Sequence, residues 1–316
     1  MMAWYWILLL AIGWIACGVF AYRVFRRPMT ENGRLPWTVS DRQAREVVGD
    51  DMLNTLIFSK DRPAQLDLLL RSIKRFVVGW DENWSTVLYR QTDPSYHRGY
   101  ELVRNEHPEF DYVAETDSIR QDIQALTLGR GERYLQFLMD DDVYIRPFGL
   151  DDIEFTEFTK DPQIAALVLR MGRAMGYCYT ENAKVQPPEF GPKGIWRWAG
   201  MPCDWGYPHS VDGTIWAIDD VRRVLTRGPY ECIHQLEPAL LAGMCGPLAL
   251  CYDKPRLVSI ANNSVQDAMR ANRHAGGDPM AMNERFLAGE RIALGPLAGI
   301  DPPSPHVEFD YEWETK

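Results

Sequence analysis

Residues 134–142 read Tyr-Leu-Gln-Phe-Leu-Met-Asp-Asp-Asp, a short and mostly apolar run that stops on three consecutive carboxylates. An apolar segment of this length, bounded by polar residues, reads as a buried strand. Three acids at a strand end repel one another and cost stability unless something cationic sits among them. A hard divalent cation, Mg2+ or Mn2+, takes carboxylate and phosphate oxygens as ligands. Such an ion bridges a protein to a diphosphate and neutralises charge on a leaving group. Because successive side chains of a strand alternate sides, Asp140 and Asp142 are expected to face one way together. Asp141 is then expected to face away, or towards a ribose.

Working outward, the run closes a series of alternating strands and helices. Asn54–Phe58 reads as a strand ending in Ser59-Lys60-Asp61-Arg62-Pro63. Leu66, Leu69, Leu70, Ile73 and Phe76 recur at helical spacing, which predicts an amphipathic helix over Pro63–Phe76 with Pro near its start. Strands follow over Thr86–Tyr89 and Tyr112–Ala114, with helices over Tyr96–Asn105 and Ile119–Leu128. The last of these is capped by Asp117 or Ser118. Alternation of this kind predicts an α/β fold, a mostly parallel sheet flanked by helices. Ligands of such sheets bind beyond the carboxyl ends of the strands. The polar clusters Ser59–Arg62, Arg90–Asp93 and Asp140–Asp142 all fall at such ends and are expected to share one crevice.

The second half is less regular. Strands are expected over Ile164–Leu169 and Leu248–Tyr252, helices over Asp219–Leu225 and Gln235–Gly243, and a Trp- and Pro-rich loop over 180–210. Trp196, Trp198, Trp205, Tyr207 and Trp216 are candidates for a sugar-stacking platform, or for core. His209, His234 and His274 are possible metal or acceptor contacts, but a lone His is more often structural, so all three are left out of the core site. Residues 301–316, Pro-rich and acidic, read as a loosely ordered tail.

The order of these features resembles the GT-A-fold glycosyltransferases, family-2-like members among them. The resemblance rests on the first strand with Ser-Lys-Asp-Arg-Pro, an acid after the second strand, and the Asp-rich motif after the fourth. It extends to Ser210-Val-Asp-Gly-Thr-Ile-Trp-Ala and to Gln235-Leu-Glu-Pro, so it covers roughly residues 54–260. It implies a GT-A domain over 54–300 and hexosyl transfer from a nucleotide-diphosphate sugar, with Mn2+ or Mg2+. It also implies roles residue by residue. Ser59, Arg62 and Asp93 would hold the base and ribose, and Arg120 the nucleotide or diphosphate. Asp140 and Asp142 would be the outer carboxylates of the DxD motif, with Asp142 on the metal and Asp141 beside the donor. Glu237 would take the proton from the acceptor hydroxyl, with Asp212 as the alternative base, because Leu-Glu-Pro stands where an acidic pair is usual.

The remaining features bound partners and location. A net charge of −10 argues against a nucleic-acid-binding face. Cys17, Cys178, Cys203, Cys232, Cys245 and Cys251 form no CxxC pair, and reduced thiols are expected. Ala3–Tyr22 holds twenty residues without a charge, enough to span a membrane, and Arg23, Arg26 and Arg27 follow at once. The positive flank predicts a single-pass anchor over 1–25 in the cell (inner) membrane, a linker over 26–53 and a cytoplasmic catalytic domain. The expected acceptor is a glycan or lipid-linked precursor at that face. Two other classes stay open: a sugar-1-phosphate nucleotidyltransferase and an inactive GT-A-like scaffold. The first would want a Gly-rich loop after the opening strand, and Ser-Lys-Asp-Arg-Pro has no Gly; the intact Asp cluster speaks against the second.

Overall fold

The computed structural model describes residues 53–80, 84–128, 133–263, 265 and 273–315. The expected anchor, and the linker up to residue 52, lie outside these. Among the described residues no helix is long and apolar enough to cross a membrane.

The first half follows the alternation read from the sequence. Strands β1 (Leu53–Lys60), β2 (Trp84–Arg90), β3 (Asp111–Ala114) and β4 (Tyr134–Met139) alternate with helices α1 (Pro63–Phe76), α2 (Ser95–Glu106) and α3 (Ile119–Thr127). Pro63 opens α1, where its missing N–H costs nothing, and the Ser118 hydroxyl caps α3 by accepting from the Gln121 amide. After β4 come β5 (Asp142–Tyr144), α4 (Ile153–Lys160), β6 (Ile164–Gly172), β7 (Tyr177–Cys178), β8 (Ala183–Lys184), β9 (Ile195–Arg197) and β10 (Thr214–Ala217). The chain ends with α5 (Ile218–Arg227), α6 (Ile233–Gly243), β11 (Leu248–Tyr252), β12 (Leu257–Ile260), α7 (Pro279–Leu287), β13 (Glu290–Ile292), β14 (His306–Val307) and β15 (Trp313–Thr315).

Eight strands form the main sheet in the order β3-β2-β1-β4-β10-β6-β11-β9. Strands β3, β2, β1, β4, β6 and β11 point the same way, while β10 and β9 run against their neighbours. The fold is thus α/β with a mostly parallel central sheet. Its two faces divide the core by strand alternation. Ile57 and Leu138 pack on one side with Leu69 of α1 and Tyr100 of α2. Leu56, Phe58, Leu135 and Phe137 pack on the other with Ile123 of α3, Val221 of α5 and Leu240 of α6. Each fully buried aliphatic or aromatic side chain of this kind contributes about 1.5–3 kcal/mol of transfer free energy, so both faces are strongly committed.

Two features set up the crevice. Because β10 is antiparallel to β4, it begins at the edge where β1, β2 and β4 end, so Asp212, two residues before it, arrives beside Asp140–Asp142. A second sheet, β14-β12-β5, then bends away from the end of β4. Its register sets Asp142 opposite Ser259 and Ser259 opposite His306. The segment expected to be a loose acidic tail therefore supplies β14 and β15, with Pro302, Ser304 and Pro305 buried. Composition misled there: its prolines suit the ends and edges of short strands as well as open coil.

The aromatic loop also resolves differently from a platform. Trp196, Trp205 and Trp216 are fully buried; Trp196 and Trp205 meet edge to face at 5.4 Å, and Trp216 packs on Phe137. His209 accepts from the Trp216 indole N–H at 3.0 Å, and burial pushes its pKa down to about 3, so it is a neutral core residue. The five described cysteines are free.

Candidate active site

A small cavity of about 80 Å3 opens at the carboxyl edge of the sheet. Arg62, Met139, Asp141, Asp212, Ser259, Asn263, Arg273, His274 and His306 line it. Of the three consecutive acids, the middle one is the one exposed to the cavity. The chain leaves extended geometry at Asp140–Asp141, which form a turn between β4 and β5, so alternation no longer decides which way each side chain points. Asp140 turns inward and is 2 % exposed, accepting from the Ser59 hydroxyl (2.9 Å), the Lys60 amide (3.1 Å) and Arg62 (3.0 Å). Asp142 is fully buried, accepting from the Ser259 hydroxyl (2.7 Å) and the Met139 amide (2.9 Å). The expectation that Asp140 and Asp142 share the crevice face is corrected accordingly.

Burial dominates the electrostatics of this trio. It lifts Asp140 to about 6 against the pull of Arg62, so with three donors on it the carboxyl is ionised at neutral pH. Burial also raises Asp141, and raises Asp142 well above the carboxylate range with further help from the Asp212 charge. The cation that the sequence demanded among these acids is, in the protein alone, Arg62. Its Nη1 donates to Asp140 and, at 2.8 Å, to Asp141, and its Nη2 to the Asn263 carbonyl. Arg62 does not pair with Asp61. That side chain, at φ +56°, instead accepts from the Thr92 amide and hydroxyl and ties the end of β1 to the end of β2.

On the facing wall Asp212 accepts from the Ser210 hydroxyl at 2.9 Å and lies 3.2 Å from His306 Nε2. Burial pushes Asp212 up, but the hydrogen bond and charge of His306, with Arg170 behind, hold it below the usual range. His306 moves the opposite way: burial lowers it, and Asp212 raises it to a net increase. Glu237 reaches the same Ser210 Oγ at 2.6 Å and also accepts from the Val211 amide at 2.9 Å. Burial first, then the Asp212 charge, raises its pKa. One hydroxyl carries one proton, so Ser210 donates to either Asp212 or Glu237, never both at once.

Two expected site residues stand elsewhere. Arg120 stacks over the Tyr230 ring and donates to the Tyr230 and Gly228 carbonyls, pinning α3 to the loop after α5. Asp93 is exposed and accepts from the Ser95 amide and hydroxyl at the start of α2. Ser59 is buried and serves Asp140 rather than open space. Sequence reading missed His306 and Asn263, because nothing in a Pro-rich tail or a post-strand Asn pair marks them.

A divalent cation suits the cavity chemically. Asp141 and Asp212 offer hard oxygens, and His306 Nδ1, buried 3.9 Å from the Asp204 carboxylate, has no hydrogen-bond partner among the described residues. A compact set of ligand-type groups lies outside this cavity: Asp67, Glu106 and His107, within 4.8 Å of one another. Arg71 already pairs with Asp67 and Arg291 with Glu106, so that set is a closed ion network joining α1, α2 and β13.

No family model matches the chain. A curated relative, the bifunctional glycosyltransferase pgtA of Dictyostelium discoideum, is 23% identical over 192 residues, 55% of this chain and 25% of the relative. The chain thus matches about a quarter of that protein's length. Among solved structures, S. aureus TarS 1-349 in complex with UDP-GlcNAc aligns with a TM-score of 0.45 at 10% identity, over 69% of this chain and 61% of that one. The mannosyltransferase PcManGT from Pyrobaculum calidifontis, in complex with GDP-Man and Mn2+, aligns at 0.34 and 9% identity, over 79% and 65%. A cytidylyltransferase from Leptospira borgpetersenii aligns at 0.38 and 10% identity, over 60% and 70%.

Proposed function

We propose that this protein transfers a sugar from a nucleotide-diphosphate sugar to an acceptor hydroxyl, with a divalent cation bound, at the cytoplasmic face of a membrane. The observation that carries the reading is the meeting of Asp141, Asp212 and His306 on one cavity at the carboxyl edge of the sheet, with Glu237 one hydroxyl behind. The relative's name supports sugar transfer in general. The uncharged stretch Ala3–Tyr22, with its Arg flank, supports the membrane face.

Asp141 and Asp212 would hold the cation, with His306 beside them. When bound, the ion neutralises charge developing on the leaving diphosphate. Arg62 keeps Asp141 turned to the cavity and Asp140 ionised behind it. The acceptor proton goes to the carboxylates of the facing wall, where position and basicity are divided. Asp212 touches the cavity but is a weak base, while Glu237 is the stronger base and stands behind Ser210. Ser210 Oγ can receive a proton from the cavity side and pass its own to Glu237.

The test is donor hydrolysis and transfer by the full chain with a panel of UDP- and GDP-sugars and Mn2+. Glu237→Gln is expected to lower kcat by at least ~10² with donor affinity nearly unchanged, and Ser210→Ala by a comparable factor. A severe loss at Asp212→Asn with mild effects at the other two would move the base to Asp212. No turnover of any donor by the wild type would end the transferase reading.

A further inference from the structure

A second cavity, of about 260 Å3, is lined by Asn262, whose chain neighbours Ala261 and Asn263 line the first. Asn262, Gly276, Gly277, Asp310, Tyr311 and Trp313 are among its walls. The two cavities share a partition. Asn262 accepts from the Phe309 amide at 3.1 Å and donates to the Phe309 carbonyl at 2.6 Å, which fixes the segment leading into Tyr311. The Gly277 amide donates to the Asn262 carbonyl at 2.7 Å and closes the opposite wall. Next in sequence, Asn263 carries the carbonyl that receives Arg62 in the first cavity. Tyr311 joins the two spaces: its ring lines the second, while its buried hydroxyl lies in the field of Asp141, Arg62 and Asp140 and has no hydrogen-bond partner among the described residues. Arg285 packs 4.2 Å over the Trp313 ring and holds that wall still.

The geometry points to this second cavity as the acceptor subsite, taking one pyranose ring of a carbohydrate acceptor. The inference rests on the transferase reading and names the acceptor class. A sugar ring presents C–H faces that suit aromatic walls and hydroxyls that need polar partners. The cavity has both: two aromatic rings and the exposed Asp310 carboxylate. An acyl chain seated here would take water from that carboxylate and replace it with nothing, which costs binding free energy. A ring seated here presents a hydroxyl past Tyr311 into the first cavity, which Asp141 and Asp212 both line.

Saturation-transfer NMR on the full chain can test this with the methyl pyranosides of glucose, galactose, mannose and N-acetylglucosamine, and with octyl phosphate as a lipid-like probe. At least one pyranoside is expected to bind saturably, and octyl phosphate not to compete. Asp310→Asn and Trp313→Ala should each weaken pyranoside binding by roughly tenfold, with Trp313→Phe restoring most of it and UDP or GDP binding unchanged. Since Trp313 pairs in a strand, the exposed Asp310 variant keeps the test valid should Trp313→Ala fold poorly. No pyranoside binding by the wild type, binding indifferent to Asp310→Asn and Trp313→Phe, or displacement by octyl phosphate would overturn the subsite. Pyranoside binding without any nucleotide binding would instead sink the transferase reading and leave a carbohydrate site.

Discussion

Among single residues, Asp141 and Asp142 divide the work of the acidic motif between ligand binding and structure. Asp141 lines the cavity, and Asp142 is buried against Ser259 with no cation donating to it among the described residues. Metal and nucleotide are expected to bind with reciprocal positive coupling, each raising the other's affinity by one factor. Calorimetry of UDP and GDP, with and without Mn2+, should show that coupling vanish in Asp141→Asn and persist in Asp142→Asn. Persistence in Asp141→Asn would put the cation elsewhere. A different residue contributes to acid stability. Burial pushes Asp67 up, but the His107 hydrogen bond and Arg71 outweigh it and hold the pKa below the ordinary carboxylate value. A depressed folded value means this contribution is complete above ~pH 4 and is lost as pH falls through the folded pKa. Asp67→Asn should therefore destabilise by about 3 kcal/mol at pH 7, with the difference from wild type shrinking below pH 4. A gap that stays constant down to pH 2.5 would show that packing, not charge, carries the effect.

Between elements, the close packing of α1, α2 and α7 has one sharp point. A Cβ added at Gly99 of α2 would stand 2.5 Å from Cγ and 3.0 Å from Cβ of Pro63, a rigid ring at the start of α1. In an open helix Gly→Ala stabilises by up to about 1 kcal/mol. Here the overlap should cost more, about 1–3 kcal/mol, since neither helix can yield without moving the Ser59–Arg62 segment that leads into α1. Gly99→Ala should thus lower Tm and also weaken donor binding. An increase in Tm would show that the two helices separate freely. Arg120 works between elements too, joining α3 to the turn after α5.

For the molecule as a whole, the last fifteen residues decide whether a site exists. They bring His306 to Asp212 through β14, set Tyr311 between the two cavities and pair β15 with β13. Removing residues 304–316 should leave the main sheet with its order intact but abolish transfer and lower Tm by several degrees. Full activity in the truncated chain would assign the tail to stability alone.

The sheet was legible because its signals are local and strong. Apolar runs such as Tyr134–Met139 and Leu248–Tyr252, and the helical spacing of Pro63–Phe76, specify their elements without help from distant residues, and the structure reproduces these bounds. The edge where ligands converge followed from the strand direction. The direction of Asp140, Asp141 and Asp142 did not follow, because a two-residue turn replaced extended chain and long-range donors claimed two of the three carboxylates. Arg62 lies 78 residues from Asp140, and Ser259 lies 117 from Asp142. The tryptophans and the tail were equally opaque. Burial of Trp216 depends on Phe137 and His209, and the order of residues 304–315 depends on β12 and β13. Sequence by itself determined the elements and the edge where chemistry gathers, since propensity and apolar periodicity act over a few residues. Only the tertiary structure decided which carboxylate faces the cavity, because that turns on partners that folding alone brings within hydrogen-bond distance.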